Sequence, residues 1–230
     1  MTELLSVVIL AHGHGSLLPA AVQSVLDQGQ AELEVLVVEH EPSAVVEELA
    51  ERHAPVAIHQ VPSGGNTPGA ARNAGVSAAS GSLLAFLDAD DLWPPGRVTA
   101  ALAELEADRE LDAVFGRVRA FTDRDGHPIA DPAEALRDAD PPQAARLVTA
   151  ALFRSESVER VGRFDEGAVL GSEIEWVARA EDAGLRFGFL EGVVLLRRNH
   201  AGNTTRTQRD DYGEYARALK RVIDRRRGRE

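Results

Sequence analysis

Apolar runs and helical patterns alternate along the first part of the chain. Four short runs rich in Val, Leu and Ile predict strands buried on both faces, at residues 4–10, 33–38, 56–61 and 83–87. Between them, apolar residues at three-to-four spacing predict helices from Ser16, over 43–53 and over 68–79. Strands that alternate with helices in this way predict βαβ units and a parallel sheet.

The pattern changes after Asp91, where a long polar, acidic and turn-rich stretch predicts a surface excursion. The elements predicted here are helix 95–107, strand 113–121, excursion 122–142, a helix from Pro142, strand 151–153, helices from Ser155 and over 172–183, and one or two strands within 187–196. We find no internal repeat and no low-complexity linker. We therefore predict that residues 1–206 form one domain and that a basic helix follows over 207–230.

Composition restricts the class of protein. The chain has 230 residues, and its 44% hydrophobic content is ordinary for a folded core. Without cysteine, disulfides and thiolate metal sites are excluded. No apolar run approaches the ~18–20 residues of a membrane span, and the first run follows Glu3 rather than a basic stretch, which favours a strand over a signal peptide. A net charge of −12 argues against a general nucleic-acid binder, so we expect a soluble, cytoplasmic α/β protein.

Three aspartates follow the fourth predicted strand: Asp88, Asp90 and Asp91. Ligands of open α/β sheets bind beyond the carboxyl ends of the strands, and carboxylates this close repel one another by about 1 kcal/mol or more per pair. A hard divalent cation offsets such repulsion, since it binds carboxylates together with substrate phosphates. The alternative is an acidic turn that caps the next helix. That alternative accounts poorly for two aspartates one residue apart after a buried strand.

These residues belong to a wider pattern. The run PGAARNAG at 68–75, then Gly81, then LDADD at 87–91 resembles the family 2 glycosyltransferases of the GT-A fold. The resemblance follows the family order over residues 5–204, and the combined motif is specific where Asp-x-Asp alone is weak. It implies an α/β fold of GT-A type, a Rossmann-like, mostly parallel sheet flanked by helices, with a smaller acceptor-side C-terminal part. Residues 1–93 would form the nucleotide-binding half and 94–206 the acceptor half.

The same resemblance implies a reaction of the hexosyltransferase class. A sugar would pass with inversion from a UDP-, GDP- or dTDP-linked donor to the hydroxyl of a saccharide, lipid-linked, peptide or small-molecule acceptor. Asp90 would be the main protein ligand of Mn²⁺ or Mg²⁺, a Lewis acid for the leaving diphosphate. Asp88 would lie near the ribose and the metal, and Arg72 beside the nucleotide. Ala11 and Glu39, which end the first two strands, complete the expected donor site.

An inverting transfer also needs a base for the acceptor's proton. The family carries an acidic pair at the start of a helix beyond a Phe-Asp-Glu turn, which stands here at 164–166. In that register Glu173 is the predicted base, and Ser172 replaces the usual glutamate of the pair. Glu173 is one methylene longer than the family's aspartate, which moves its carboxylate further from the helix. A first-turn glutamate that merely favours the helix dipole is the alternative.

Further contacts are predicted around this pair. His200 lies in a segment that resembles the family's Arg-x-His-x-x-Asn and is a candidate second metal ligand, a structural loop histidine being the alternative. Asp91, Trp93, Glu175 and Trp176 are the predicted acceptor or sugar contacts. For the two tryptophans, packing in the core is an equally good interpretation.

The nucleotide end departs most from the family pattern. Residues 11–14 read AHGH where members usually have PTYN, and residues 39–42 read EHEP where they have DDGS. An altered donor, or a catalytically inactive binding or scaffold protein of the same fold, therefore stays open. His12, His14 and His40 also raise the hypothesis of a separate zinc site, although their spacing is irregular.

Two other enzyme classes fit badly. A haloacid-dehalogenase-type phosphatase needs a lysine at its site, and the one lysine is Lys220, in the tail. A dinucleotide-binding dehydrogenase needs a third glycine where Leu18 stands. The tail itself, 217–230, carries seven basic and two acidic residues. It is interpreted as a solvated helix end, with peripheral contact to an anionic membrane or an acidic partner as alternatives; the sequence does not indicate the oligomeric state.

Overall fold

The computed structural model describes residues 3–11, 15–124, 127–137, 139–168 and 170–200, together with Lys220. The predicted C-terminal helix, Lys220 apart, lies outside the described residues, as do His12 and His14. The strands are β1 (Leu5–Leu10), β2 (Leu33–Glu39), β3 (Ala57–Pro62), β4 (Leu83–Asp88), β5 (Ala113–Thr122), β6 (Gln143–Ala144), β7 (Ala151–Arg154) and β8 (Phe187–Asn199). The helices are α1 (Leu18–Leu26), α2 (Ala44–Arg52), α3 (Pro68–Ala78), α4 (Arg97–Ala107), α5 (Pro132–Arg137), α6 (Ser155–Val161) and α7 (Ser172–Asp182), with a short 3₁₀ turn at Val148–Ala150.

All the strands join one sheet in the order β3-β2-β1-β4-β7-β5-β6, and β8 pairs with the other side of β5. Strands β1 to β4 are mutually parallel. β7 runs antiparallel to both β4 and β5, and β8 is parallel to β5. The predicted mostly parallel sheet flanked by helices is therefore confirmed. Because β1, β2 and β4 end at one edge, their last residues are brought together there.

Two apolar layers sandwich the sheet. One layer packs α1, α2 and α4 against residues such as Val7 and Ile9, and the other packs α3, α6 and α7 against their alternate neighbours, such as Val8 and Phe86. Every residue of β1 and β2 is buried, as a strand covered on both faces requires. This double burial explains why these strands are mostly apolar rather than alternating; the polar Ser6 and Glu34 are hydrogen-bonded to each other.

Two predicted helix boundaries differ from the structure. α4 begins at Arg97 rather than at residue 95, because Gly96 precedes it with φ +78°, a left-handed conformation that glycine adopts without strain. The helix predicted from Pro142 is wrong. There the chain is extended as β6, pairing Gln143 and Ala144 with β5, because the ladder of β5 offers these residues backbone partners that a helix beginning here would forgo.

The excursion between β5 and β6 has a small core of its own. It is formed by Leu92, Phe121, Ile129, Ala135, Ala139 and Leu196. Leu92 and Leu196 also exchange two backbone hydrogen bonds, of 3.0 and 2.9 Å. The excursion is thereby packed against the segment that follows Asp91 rather than extended into solvent.

Helix α3 is held tightly to the turn that precedes α7. The Asn73 side chain accepts the N–H of Phe164 (2.8 Å) and donates to the Phe164 carbonyl oxygen (3.0 Å) and to a Glu166 carboxylate oxygen (2.8 Å). Thr67, which caps α3, donates its hydroxyl to the Glu166 carbonyl oxygen. Gly69 permits this approach, since a Cβ there would stand 2.1 Å from the carbonyl oxygen of Asp165. The glycine and the asparagine of the sequence motif thus have a packing role.

Among the described residues, no helix combines the length and the apolar character that crossing a bilayer would require.

The close approach of α3 predicts a cost for any side chain at Gly69. Gly69→Ala should lower the free energy of unfolding by about 1–3 kcal/mol, as overpacking does, because the turn at Asp165 must move. Gly192→Ala is the matched control, since nothing lies within 4 Å of its added Cβ. Urea denaturation measures both, and equal stability of the two variants would contradict the tight docking.

Candidate active site

The carboxyl ends of three parallel strands gather the predicted donor residues. Leu10 of β1 lies opposite Val38 of β2 and opposite Asp88 of β4. The backbone N–H of Ala11 continues this ladder by donating to the carbonyl oxygen of Val38 (3.0 Å). Ala11, Glu39 and Asp88 therefore lie at one edge of the sheet, the edge at which open α/β sheets bind ligands.

The acidic turn after β4 is compact. Carboxylate oxygens of Asp88, Asp90 and Asp91 lie within 4.8 Å of one another. Burial raises the pKa of Asp88 to about 6; the positive charge of Arg72 opposes this rise, whereas the charges of Asp90 and Glu173 add to it. Crowding of carboxylates is thus a property of this edge, and a cation would relieve it.

Asp91 is almost without exposed surface, which does not suit the sugar contact that was predicted for it. It is buried, and its Oδ1 accepts the backbone N–H of Arg198 at 2.8 Å. Burial, with the charges of Asp90 and Asp88, raises its pKa well above the usual range, although the bond from Arg198 opposes this. The predicted sugar contact of Asp91 is corrected to a contact that joins the acidic turn to β8.

The end of β8 delivers His200 to the same turn. Its Nε2 lies 2.8 Å from Oδ2 of Asp90. Carboxylate oxygens suit Mg²⁺ and Mn²⁺, and imidazole nitrogen is a common ligand of transition metals. The carboxylates of Asp88, Asp90 and Asp91, within 4.8 Å of one another, therefore fit a divalent ion, and His200 contacts this group through Asp90.

Arg72 of α3 and Glu173 of α7 lie close to each other. The Arg72 guanidinium lies 3.9 Å from Oε2 of Glu173, with side-chain exposures of 5% and 22%, and 5.8 Å from the centre of the Phe164 ring. Within the described part of the chain, Nε of Arg72 and Oε2 of Glu173 are both buried without a hydrogen-bond partner. Since such atoms are costly to leave unsatisfied, this pair is open to a polar ligand.

The two tryptophans do not reach this site. Trp93 and Trp176 are both 0% exposed. Trp93 packs in the core under the guanidinium of Arg97 (4.0 Å), and Trp176 stacks on Phe164 with ring centres 4.9 Å apart. A ring without exposed surface cannot stack on a sugar, so the predicted sugar contacts of Trp93 and Trp176 are corrected to core packing.

Glu175 is engaged within its own helix. Its Oε2 accepts two hydrogen bonds from the Arg179 guanidinium, at 3.2 and 3.4 Å. Arg179 also donates to the carbonyl oxygens of Val161 and Arg163. The predicted acceptor contact of Glu175 is therefore not supported by the geometry, which gives this carboxylate a role in fixing α7.

At the end of β2, Glu39 has a partner that the sequence did not indicate. Gln60 of the neighbouring strand β3 donates to Oε2 of Glu39 at 3.0 Å. Burial raises the pKa of Glu39, while bonds from Gln60 and Ser43 oppose the rise. Gln60 was missed because no motif contains it, although a polar residue on the strand paired with β2 is a signal. His40 is exposed, and the zinc hypothesis stays untested because His12 and His14 lie outside the described residues.

Comparison with known proteins agrees with this architecture. The model of glycosyl transferase family 2 matches residues 6–161, and the chain belongs to that family. An uncharacterized glycosyltransferase of Nostoc sp., alr2836, is 35% identical over 98 residues, which cover 41% of this chain and 30% of that protein. Glycosyltransferase AglE of Haloferax volcanii is 30% identical over 130 residues, or 54% of this chain and 42% of AglE. The chain spans less than half the length of these curated relatives.

Solved structures show the same fold. S. aureus TarS in complex with UDP-GlcNAc aligns with a TM-score of 0.67 at 16% identity, over 87% of this chain and 60% of that one. The mannosyltransferase PcManGT of Pyrobaculum calidifontis, in complex with GDP-Man and Mn²⁺, aligns with a TM-score of 0.64 at 21% identity, over 86% and 57% of the two chains. The GT-A fold that the resemblance predicted is thereby confirmed.

The crowded aspartates predict an unusual pH dependence of stability. Burial raises the folded-state pKa of Asp88 to about 6, whereas an unfolded aspartate titrates near ~3.9. The protonated group therefore favours the folded state at low pH, and this stability is lost as the pH rises through the folded-state value. In EDTA, Asp88→Asn should raise the melting temperature at neutral pH.

Asp112, at the opposite end of the sheet, is the control of opposite sign. Partial burial raises its pKa, but bonds from Ser157, Arg186 and Arg160 outweigh this and lower it. Asp112→Asn should therefore lower the melting temperature at neutral pH. A melting temperature of Asp88→Asn at or below that of the wild type would contradict the crowding.

Proposed function

We propose that this chain transfers a hexosyl group from a nucleotide diphosphate-sugar to an acceptor hydroxyl, with inversion and with a divalent metal ion. The observation that carries the proposal is the meeting of Arg72 with Glu173 (3.9 Å) at the edge that holds Asp88 and Asp90. The family, and the UDP-GlcNAc and GDP-Man complexes of the structural neighbours, support a nucleotide-sugar donor.

The donor would lie across the ends of β1, β2 and β4. Glu39 and the backbone at Ala11 would face the nucleoside, and Arg72 and Asp88 the ribose and diphosphate. Asp90 and His200 would hold Mn²⁺ or Mg²⁺. When bound, the ion neutralises negative charge on the diphosphate as the sugar–phosphate bond breaks.

Glu173 would act as the base. The acceptor oxygen attacks the anomeric carbon, its proton passes to Glu173, and the nucleotide diphosphate leaves from the opposite face of the sugar. The Glu173 side chain is 22% exposed, and its Oε2 has no hydrogen-bond partner among the described residues, so this carboxylate is a suitable group to accept that proton. Arg72 would keep this carboxylate oriented between donor and acceptor.

Metal-dependent nucleotide binding is the first test. Mn²⁺ with UDP or GDP should raise the melting temperature of the wild type, and Asp90→Asn should abolish the increase because it removes the main ligand. Asp108→Asn, at a carboxylate that is paired with Arg186, should leave the increase intact. Absence of any shift with UDP, GDP or dTDP in a folded sample would favour the scaffold alternative.

The base is tested separately. Glu173→Gln should lower metal-dependent hydrolysis or transfer of the donor sugar by about 10²–10⁴-fold, the usual contribution of a general base, and leave nucleotide affinity unchanged. Glu175→Gln, two residues along α7, should retain turnover because Glu175 is bound to Arg179. Retained turnover in Glu173→Gln would reassign the base.

A further inference from the structure

Arg198 is a buried arginine whose contacts converge on the acidic turn. Its side chain is 1% exposed. Its backbone N–H donates to Oδ1 of Asp91 (2.8 Å), and its Nε donates to the carbonyl oxygen of Asp90 (2.7 Å). One residue thus holds the backbone of one aspartate and the carboxylate of the next.

The other end of the guanidinium reaches the excursion after β5. It pairs with Asp123, donates to the carbonyl oxygen of Ile129 (2.8 Å) and lies 4.7 Å from the centre of the Phe121 ring. Asp123 in turn accepts the backbone N–H of Ile129 (3.0 Å). Arg198 is therefore the point at which the acidic turn, β8 and the excursion are joined.

His200 lies close to these contacts. It follows Arg198 by two residues, and its Nε2 lies 2.8 Å from Oδ2 of Asp90. Burying a guanidinium costs several kcal/mol unless all its donors are satisfied, so an arginine here is expensive if the fold needs only apolar filling. The free-energy cost of burying this guanidinium is explained if Arg198 sets the relative positions of Asp90 and His200.

We propose that Arg198 is a positioning residue for the metal site. It fixes the Asp90–Asp91 turn against β8, so that Asp90 and His200 approach one ion, and it couples that turn to Asp123 and Ile129 of the excursion. This inference rests on the proposed metal-dependent function. Groups that orient metal ligands typically change metal affinity 10–100-fold when removed.

The test compares Arg198→Met with Arg154→Met by Mn²⁺ titration of the nucleotide-free protein. Arg154 also donates to two backbone carbonyl oxygens, at 3.0 Å each. It lies opposite Leu83, at the start of β4, whereas the acidic turn follows the end of that strand. Both variants should be less stable than the wild type. Only Arg198→Met should bind Mn²⁺ about 10–100-fold more weakly, and Asp90→Asn identifies the site that is titrated.

Hydrogen exchange gives a readout that does not need the metal. In Arg198→Met, the amides of residues 90–92 should exchange faster than in the wild type, while Arg154→Met leaves them unchanged. If Arg198→Met does not fold, Arg198→Lys replaces it. Lysine keeps the charge beside Asp123 but cannot reach the Asp90 and Ile129 carbonyls together, so it should also weaken Mn²⁺ binding.

The outcomes separate this inference from the function on which it rests. If the wild type binds Mn²⁺, and Arg198→Met binds it with the same affinity and exchanges the amides of residues 90–92 at the same rate, the positioning role is overturned. The proposed function then stays intact. A wild type that binds no Mn²⁺ overturns the metal site, and this inference with it.

Discussion

The Asn73 side chain is the contact on which the candidate site depends most. Its three hydrogen bonds to Phe164 and Glu166 hold α3 against the turn that leads into α7. Arg72 is the adjacent residue of α3, and Glu173 lies in the first turn of α7. Together with the Thr67 hydrogen bond to Glu166, this clamp keeps the Arg72 guanidinium 3.9 Å from the Glu173 carboxylate. A buried amide with its hydrogen bonds satisfied favours one such arrangement over others.

A second junction completes the site from the opposite direction. The paired backbones of Leu92 and Leu196 bring the acidic turn to β8, and Arg198 then contacts both Asp90 and Asp91. Strand β8 comes from the end of the described chain, whereas the acidic turn comes from its middle. The acidic turn and the Arg72–Glu173 pair thus have separate supports, so damage to one need not displace the other.

The buried strands could be predicted from the sequence because they are apolar runs. The convergence of Asp88 with Ala11 and Glu39 could also be predicted, because parallel strands end at the same edge of a sheet. Burial of Trp93 and Trp176 did not follow, because nearness to a motif does not determine which way a side chain faces. The partners of Asp91 and Glu39 were also hidden, since Arg198 and Gln60 come from distant strands. The helix predicted from Pro142 failed because tertiary strand pairing overrode local pattern.

The charge balance of this edge argues for a cation more strongly than any single ligand distance. Among the described residues, Arg198 is paired with Asp123, and Arg72 and Arg197 are the cations that lower the pKa of Asp88. The carboxylates of Asp90 and Glu173 act in the opposite direction and raise that pKa. A diphosphate would add further negative charge to the same space, and in a partly buried setting each close pair of like charges costs about 4 kcal/mol. A divalent ion beside Asp88 and Asp90 would offset this repulsion, so the proposed metal ion is expected to strengthen the binding of an anionic donor.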